Sequence, residues 1–175
     1  MPSIEATVIV GLDADGEREG RRLANRFPNS ARYVKPNSLA STLESKSPLF
    51  VVLVSHDTTG SSIYYDMLEA LKPLKGSLPI FVLAMCSSGV NPVFAGYTLA
   101  QRVAAGLRVE VRATSRLLTF EEVGQGLAFA QSGIANFILP SNDDTKGTAN
   151  LWGTVTPPSD NSLDAFCLQL GDMKI

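Results

Sequence analysis

Residues 48–62 read PLFVVLVSHDTTGSS, and residues 78–89 read LPIFVLAMCSSG. Each begins as an apolar run without alternation, the pattern of a parallel strand covered on both faces. Each then breaks into small polar residues. The first run ends at His56, the sole histidine of the chain, and the second ends at Cys86. In open parallel α/β sheets, ligands and chemistry lie outside the carboxyl ends of the strands. Two such strands side by side would therefore bring a thiol and an imidazole to one edge of a sheet.

Outward from these runs, helices and strands alternate. ATVIVG (6–11) is a short apolar strand ended by Gly11. EREGRRLANRF (17–27) has an apolar face of Leu23, Ala24 and Phe27, and Pro28 stops it. ARYVK (31–35) is a short strand, and Asn37 or Ser38 can cap a helix over 39–45. SIYYDMLEALKPLKG (62–76) carries Ile63, Met67, Leu68, Leu71 and Leu74 at helical spacing, with Pro73 distorting its last turn. VFAGYTLAQRVAAGL (93–107) is a helix in which Gly106 suits the C-terminus. RVEVRAT (108–114) alternates as a strand. Beyond Ser115 the pattern weakens. IANFILP (134–140) is the better strand candidate, 140–160 reads as a flexible loop region, and Pro157-Pro158 argues against a central strand or helix there. LDAFCLQL (163–170) suits a short helix or an edge strand. The fold class that follows is α/β: one doubly wound domain over residues 1–175, with a mostly parallel sheet and helices on both faces.

Composition excludes several function classes. At 175 residues the chain can bury a full core, and its 45% apolar and 18% charged content is that of a globular protein. The net charge is −2, without the basic cluster that follows phosphates, so nucleic acid is not an expected partner. No apolar run reaches the ~18 residues of a membrane span. The N-terminus reads as a strand and not as a signal peptide. Two cysteines are no disulfide framework, and together with a single histidine they give no zinc-site spacing. Cys167, among apolar neighbours, reads as a buried small hydrophobe. Glycines 11, 16 and 20 do not make a dinucleotide fingerprint. No cofactor or metal is therefore expected.

Cys86 and His56 carry the candidate chemistry. A thiol reacts as its thiolate, which a nearby imidazole or a helix N-terminus favours. His56 would take up a proton and return it to a leaving amine. The backbone amides of Cys86 and Asp57 are placed in sequence to form an oxyanion hole. Singly, each residue has a plainer structural reading: a small residue at a tight turn, or an imidazole bonded to a carbonyl. The pairing of both with the two strongest strands is what favours chemistry.

LVSHDTTG (53–60) and VLAMCSSG (82–89) resemble the histidine and cysteine blocks of the caspase-like (clan CD) cysteine peptidases. GYTLAQRVAAGLRVEVRAT (96–114) resembles the helix and short strand that follow in the CHAT-domain and bacterial toxin members. The resemblance covers about residues 48–114. It implies a caspase-like fold, a cysteine endopeptidase with Cys86 as nucleophile and His56 as general acid/base, and an oxyanion hole from the amides of Cys86 and Asp57. It also implies that the loops GLDADGE (11–17) and ATSRLL (113–118) help to build the primary substrate pocket. Asp13 and Asp15 would suit a basic side chain there, and Arg116, next to Ser115 in the second loop, an acidic one, so the preference stays open. One departure stands out: these families usually carry glycine straight after the histidine, where this chain has Asp57.

The expected partner is a protein or peptide substrate. A toxin or effector role would add an inhibitor protein. The expected location is the cytoplasm, or a target cell reached without a cleaved signal peptide. Two alternatives stay open. One is a caspase-like binding module with a degenerate site, favoured by Asp57. The other is another α/β cysteine hydrolase, although such sites usually place the histidine after the cysteine and here it comes first.

Overall fold

The computed structural model describes residues 7–55, 62–85, 99–113 and 153–157. Within them lies a six-stranded sheet made of β1 (Thr7–Gly11), β2 (Ala31–Tyr33), β3 (Phe50–Val54), β4 (Ile80–Ala84), β5 (Val111–Ala113) and β6 (Gly153–Val155). Four helices accompany it: α1 (Ala14–Arg26), α2 (Leu39–Ser45), α3 (Ser62–Leu71) and α4 (Leu99–Leu107). The strand order is β2-β1-β3-β4-β5-β6. All pairings are parallel except β5 with β6. The class is therefore α/β with a mostly parallel sheet.

The unalternating runs are buried on both faces because each side of the sheet has its own core. Val8, Val10, Val51, Leu53, Phe81, Leu83 and Val111 join Leu39 of α2, Met67 and Leu71 of α3, and Val103 and Leu107 of α4. The residues between them, Ile9, Val52, Val54, Val82 and Ala84, join Leu23 and Ala24 of α1. Thus α1 lies on one face, and α2, α3 and α4 lie on the other. Each fully buried Val, Leu or Phe contributes about 1.5–3 kcal/mol by leaving water, so the central strands make a large hydrophobic contribution among the described residues.

Several elements differ from expectation at their ends. Helix α1 begins at Ala14, three residues before the expected start, because Asp13 caps it: its side chain accepts from the amide of Gly16 at 2.6 Å. The chain leaves α1 at Phe27, just ahead of Pro28. Neither Asn37 nor Ser38 caps α2 through its side chain. A 3₁₀ turn over Pro36–Ser38 leads directly into the helix. Pro73 does distort the end of α3, which tightens into a 3₁₀ turn over Lys72–Leu74.

At the end of α4, Gly106 stays inside the helix. The left-handed residue is Arg108, with φ 51°. The amide of Val109 reaches back to the carbonyl of Ala104 at 3.2 Å, the long bond of a Schellman ending. Leu107, only 1% exposed, has to reach the core before the helix can stop. Strand β6 forms inside the 140–160 stretch expected to be loop. It is an antiparallel neighbour of β5 and ends ahead of the Pro157-Pro158 pair. The candidate segments 134–140 and 163–170 lie outside the described residues.

Candidate functional site

Strand β1 is flanked by β2 on one side and β3 on the other, and the chain changes helix face between them. This is a topological switch point, and the crevice beyond the carboxyl ends of the strands is where ligands bind in such sheets. The ends of the three central strands are in register: Gly11 pairs with Val54, and Val54 with Ala84. Beyond that pair, the amide of Ser55 donates to the carbonyl of Ala84 at 3.4 Å. Ser55 and Met85 are both buried, the last described residues before His56 and Cys86 in the chain.

His56, Asp57, Cys86, Ser115 and Arg116 lie outside the described residues, as does Cys167. The sequence puts His56 and Cys86 two positions beyond the registered pair Val54 and Ala84.

The described part of the site is the junction of β1, α1 and β3. The carboxylate of Asp13 uses both oxygens: Oδ1 accepts from the Gly16 amide at 2.6 Å, and Oδ2 accepts from the Ser55 hydroxyl at 2.8 Å. The amide of Leu12 donates to the carbonyl of Val54 at 2.9 Å. Gly16 sits against that same carbonyl so closely that a Cβ would collide with it. Gly11 likewise leaves room for the backbone of Gly16 and Glu17. The loop GLDADGE is therefore a close-packed helix entry, and two of its glycines are there for backbone approach.

Asp15 faces solvent and pairs with Arg18 at 2.8 Å. It belongs to a surface lattice on α1 that also holds Arg21–Glu17 at 3.0 Å and Arg22–Glu19 at 3.1 Å. Exposed pairs of this kind contribute a few tenths of a kcal/mol each.

A groove of about 500 Å³ opens between the start of α1 and the end of β2, lined by Leu12, Asp13, Glu17, Tyr33, Lys35 and Asn37. The guanidinium of Arg21 lies 4.3 Å from the centre of the Tyr33 ring. Burial, aided by the nearby Glu17 carboxylate, raises the pKa of the Tyr33 phenol, although the Gly11 backbone and Arg21 oppose this. The phenol therefore stays protonated at neutral pH. Of the groove residues, Leu12, Asp13 and Glu17 belong to the loop 11–17 that the resemblance assigns to the substrate pocket. Tyr33, Lys35 and Asn37 come from the β2 exit, where no local pattern distinguishes lining residues from ordinary surface.

Arg112 on β5 is 6% exposed. It donates to Glu110 at 3.0 Å and to the hydroxyl of Thr154 on β6, while its Nε lacks a partner. Burial lowers the pKa of this guanidinium, and Glu110 opposes the shift. Glu110 lies just ahead of β5, and Thr154 is the register partner of Arg112 on β6.

Among the described residues, no three His, Cys, Asp or Glu side chains come together as a metal site, and no helix is long and apolar enough to cross a membrane. No protein-family model matches this sequence, and no curated protein does either.

Proposed function

We propose that this chain is a caspase-like cysteine endopeptidase, with Cys86 as nucleophile and His56 as general acid/base. The observation that carries the reading is the register of β3 against β4. These are adjacent parallel strands, Val54 is paired with Ala84, and the chain runs on from each by two residues to His56 and to Cys86. Equal offsets beyond a registered parallel pair are what a dyad built from two strand ends requires.

In this reading the Cys86 thiolate attacks the scissile carbonyl carbon, and a C–S bond forms. The amides of Cys86 and Asp57 donate to the developing oxyanion. The imidazolium of His56 gives its proton to the leaving amine as the C–N bond breaks, leaving a thioester. His56 then takes a proton from water. The resulting hydroxide attacks the thioester, the C–S bond breaks, and the acid product leaves with the thiolate restored. Ser87, Ser88 and Gly89 are small and would leave room for a substrate backbone. The groove beside Asp13, Glu17 and Lys35 is the place for a substrate side chain. Support for a protein substrate, and for an effector whose partner is an inhibitor protein, comes from the family resemblance.

The test is a panel of peptidyl acyloxymethyl ketones carrying Arg, Leu or Asp at the reactive position, with adducts located by mass spectrometry. The expected result is labelling at Cys86 by one member of the panel, abolished in Cys86→Ala and weakened about 100-fold or more in His56→Ala. Labelling of Cys167 to an equal extent, or labelling indifferent to His56, overturns the reading. That result would favour a binding module in which Asp57 crowds the oxyanion position.

A further inference from the structure

The bond between Ser55 and Asp13 joins elements 42 positions apart in the chain. Ser55 is 3% exposed and directly follows β3, and its hydroxyl donates to a carboxylate that also caps α1. Two further contacts lock the same place: the Leu12 amide on the Val54 carbonyl, and the bare Cα of Gly16 against that carbonyl. The helix entry is thus seated on the last residues of β3 through one charge-assisted side-chain bond, one backbone bond and one close approach. Capping α1 needs only one oxygen of Asp13. Asparagine or serine would cap equally well. The second oxygen is what a carboxylate adds here, and it accepts from the Ser55 hydroxyl.

We propose that Asp13 and Ser55 are positioning residues: their bond fixes the direction in which the chain leaves β3, and so sets where the next residue, His56, stands. This role rests on the peptidase reading. It assigns Asp13 a duty within the chain, where the sequence pointed to contact with substrate. Small displacements of a catalytic group are costly, of the order of 100-fold in rate for about 1 Å. A bond at the residue adjoining the histidine is well placed to prevent them.

The experiment uses the full chain with Ser55→Ala, Asp13→Ser and the double variant. Serine at position 13 keeps the cap but is too short to serve Ser55 as well. Two readouts are taken together: amide hydrogen exchange by mass spectrometry, and the maximal rate of Cys86 alkylation by the best ketone across pH. Expected are faster exchange confined to residues 55–61 in both single variants, and about a tenfold fall in maximal alkylation rate. The pH profile should move toward that of an isolated thiol, and the double variant should be no worse than either single, because both remove one link. Unchanged exchange at 55–61, a wild-type alkylation rate, or losses that multiply in the double variant would overturn the proposal. A wild-type protein whose Cys86 is never alkylated overturns the peptidase reading and the positioning role together. In that case the exchange data alone report whether the clasp holds β3.

Discussion

The middle of the sheet and its β5–β6 edge are held by different physics. Strands β1, β3 and β4 each run five residues, and the side chains along β1 and β3 are all buried. At that end of the sheet β5 and the edge strand β6 have three residues each. There the inward-facing partner of Val82 is Arg112, which binds Glu110 and Thr154. The centre is stabilised by area, which any apolar side chain of the right size supplies. The edge depends on a particular donor meeting particular acceptors. The centre should therefore fail only when geometry is violated, and the edge should fail locally when one polar partner is lost.

The largest expected effect is at the junction that seats α1 on β3. Gly16→Ala places a methyl group against the Val54 carbonyl, a backbone atom that cannot swing away. The helix start has to lift, and a loss of about 3 kcal/mol is expected. Gly20, one turn further along the same helix, is the control. A Cβ there would meet the side chains of Ile9 and Tyr33 at 3.2 Å, and these can give by a few tenths of an ångström. Gly20→Ala should thus cost below about 1 kcal/mol, because alanine's better helix propensity offsets the crowding. Urea unfolding of the two variants checks this. Equal losses would mean that the junction is no tighter than the rest of α1.

That contrast also marks what could be read in the sequence. The runs of β3 and β4 stand out because burial on both faces leaves no polar positions, and their ends at His56 and Cys86 follow directly. The start of α1 does not stand out. Ala14, Asp15 and Gly16 have loop composition, and only the Asp13 carboxylate and the approach to Val54 make them helical. The Ser55–Asp13 bond needs the pairing of Gly11 with Val54, which is tertiary information with no local trace. Arg112 shows the same limit. In RVEVRAT it occupies an alternating polar position, the usual sign of a solvent-facing residue, yet it is buried because β6 and Glu110 supply partners. Strand β6 was hidden in a stretch whose glycine, threonine and proline content suits a loop; its short length is enough once β5 offers an edge.

The second prediction addresses that edge. Arg112→Met keeps the apolar stem and removes the bonds to Glu110 and Thr154. Glu110 keeps about one-third of its side chain exposed and can rehydrate, so the global cost should be only about 1 kcal/mol. The local cost should be larger. Amide exchange in β6 is expected to rise by an order of magnitude or more, while β3 and β4 keep their protection. A uniform rise across the sheet would show that the edge is not a separate unit. No change in β6 would show that its three backbone pairings suffice without the arginine.

The smallest expected effect lies where α4 hands the chain to β5. Arg108 holds a left-handed conformation in a Schellman ending, a place that favours glycine or asparagine. The strain for an ordinary side chain is about 1 kcal/mol. It is sustained because Leu107 and Val109, on either side, are both anchored in the core. Glycine would relieve the strain but add freedom to the unfolded chain, so Arg108→Asn is the cleaner change. It gives up the contacts Arg108 makes itself. The net gain should be about 0.5 kcal/mol, which corresponds to a rise of roughly 1–2 °C in the thermal midpoint. A loss of stability instead would mean that the Arg108 side chain, like that of Arg112, is a specific fastening, and polar control would then extend from β5 and β6 to the helix end that feeds them.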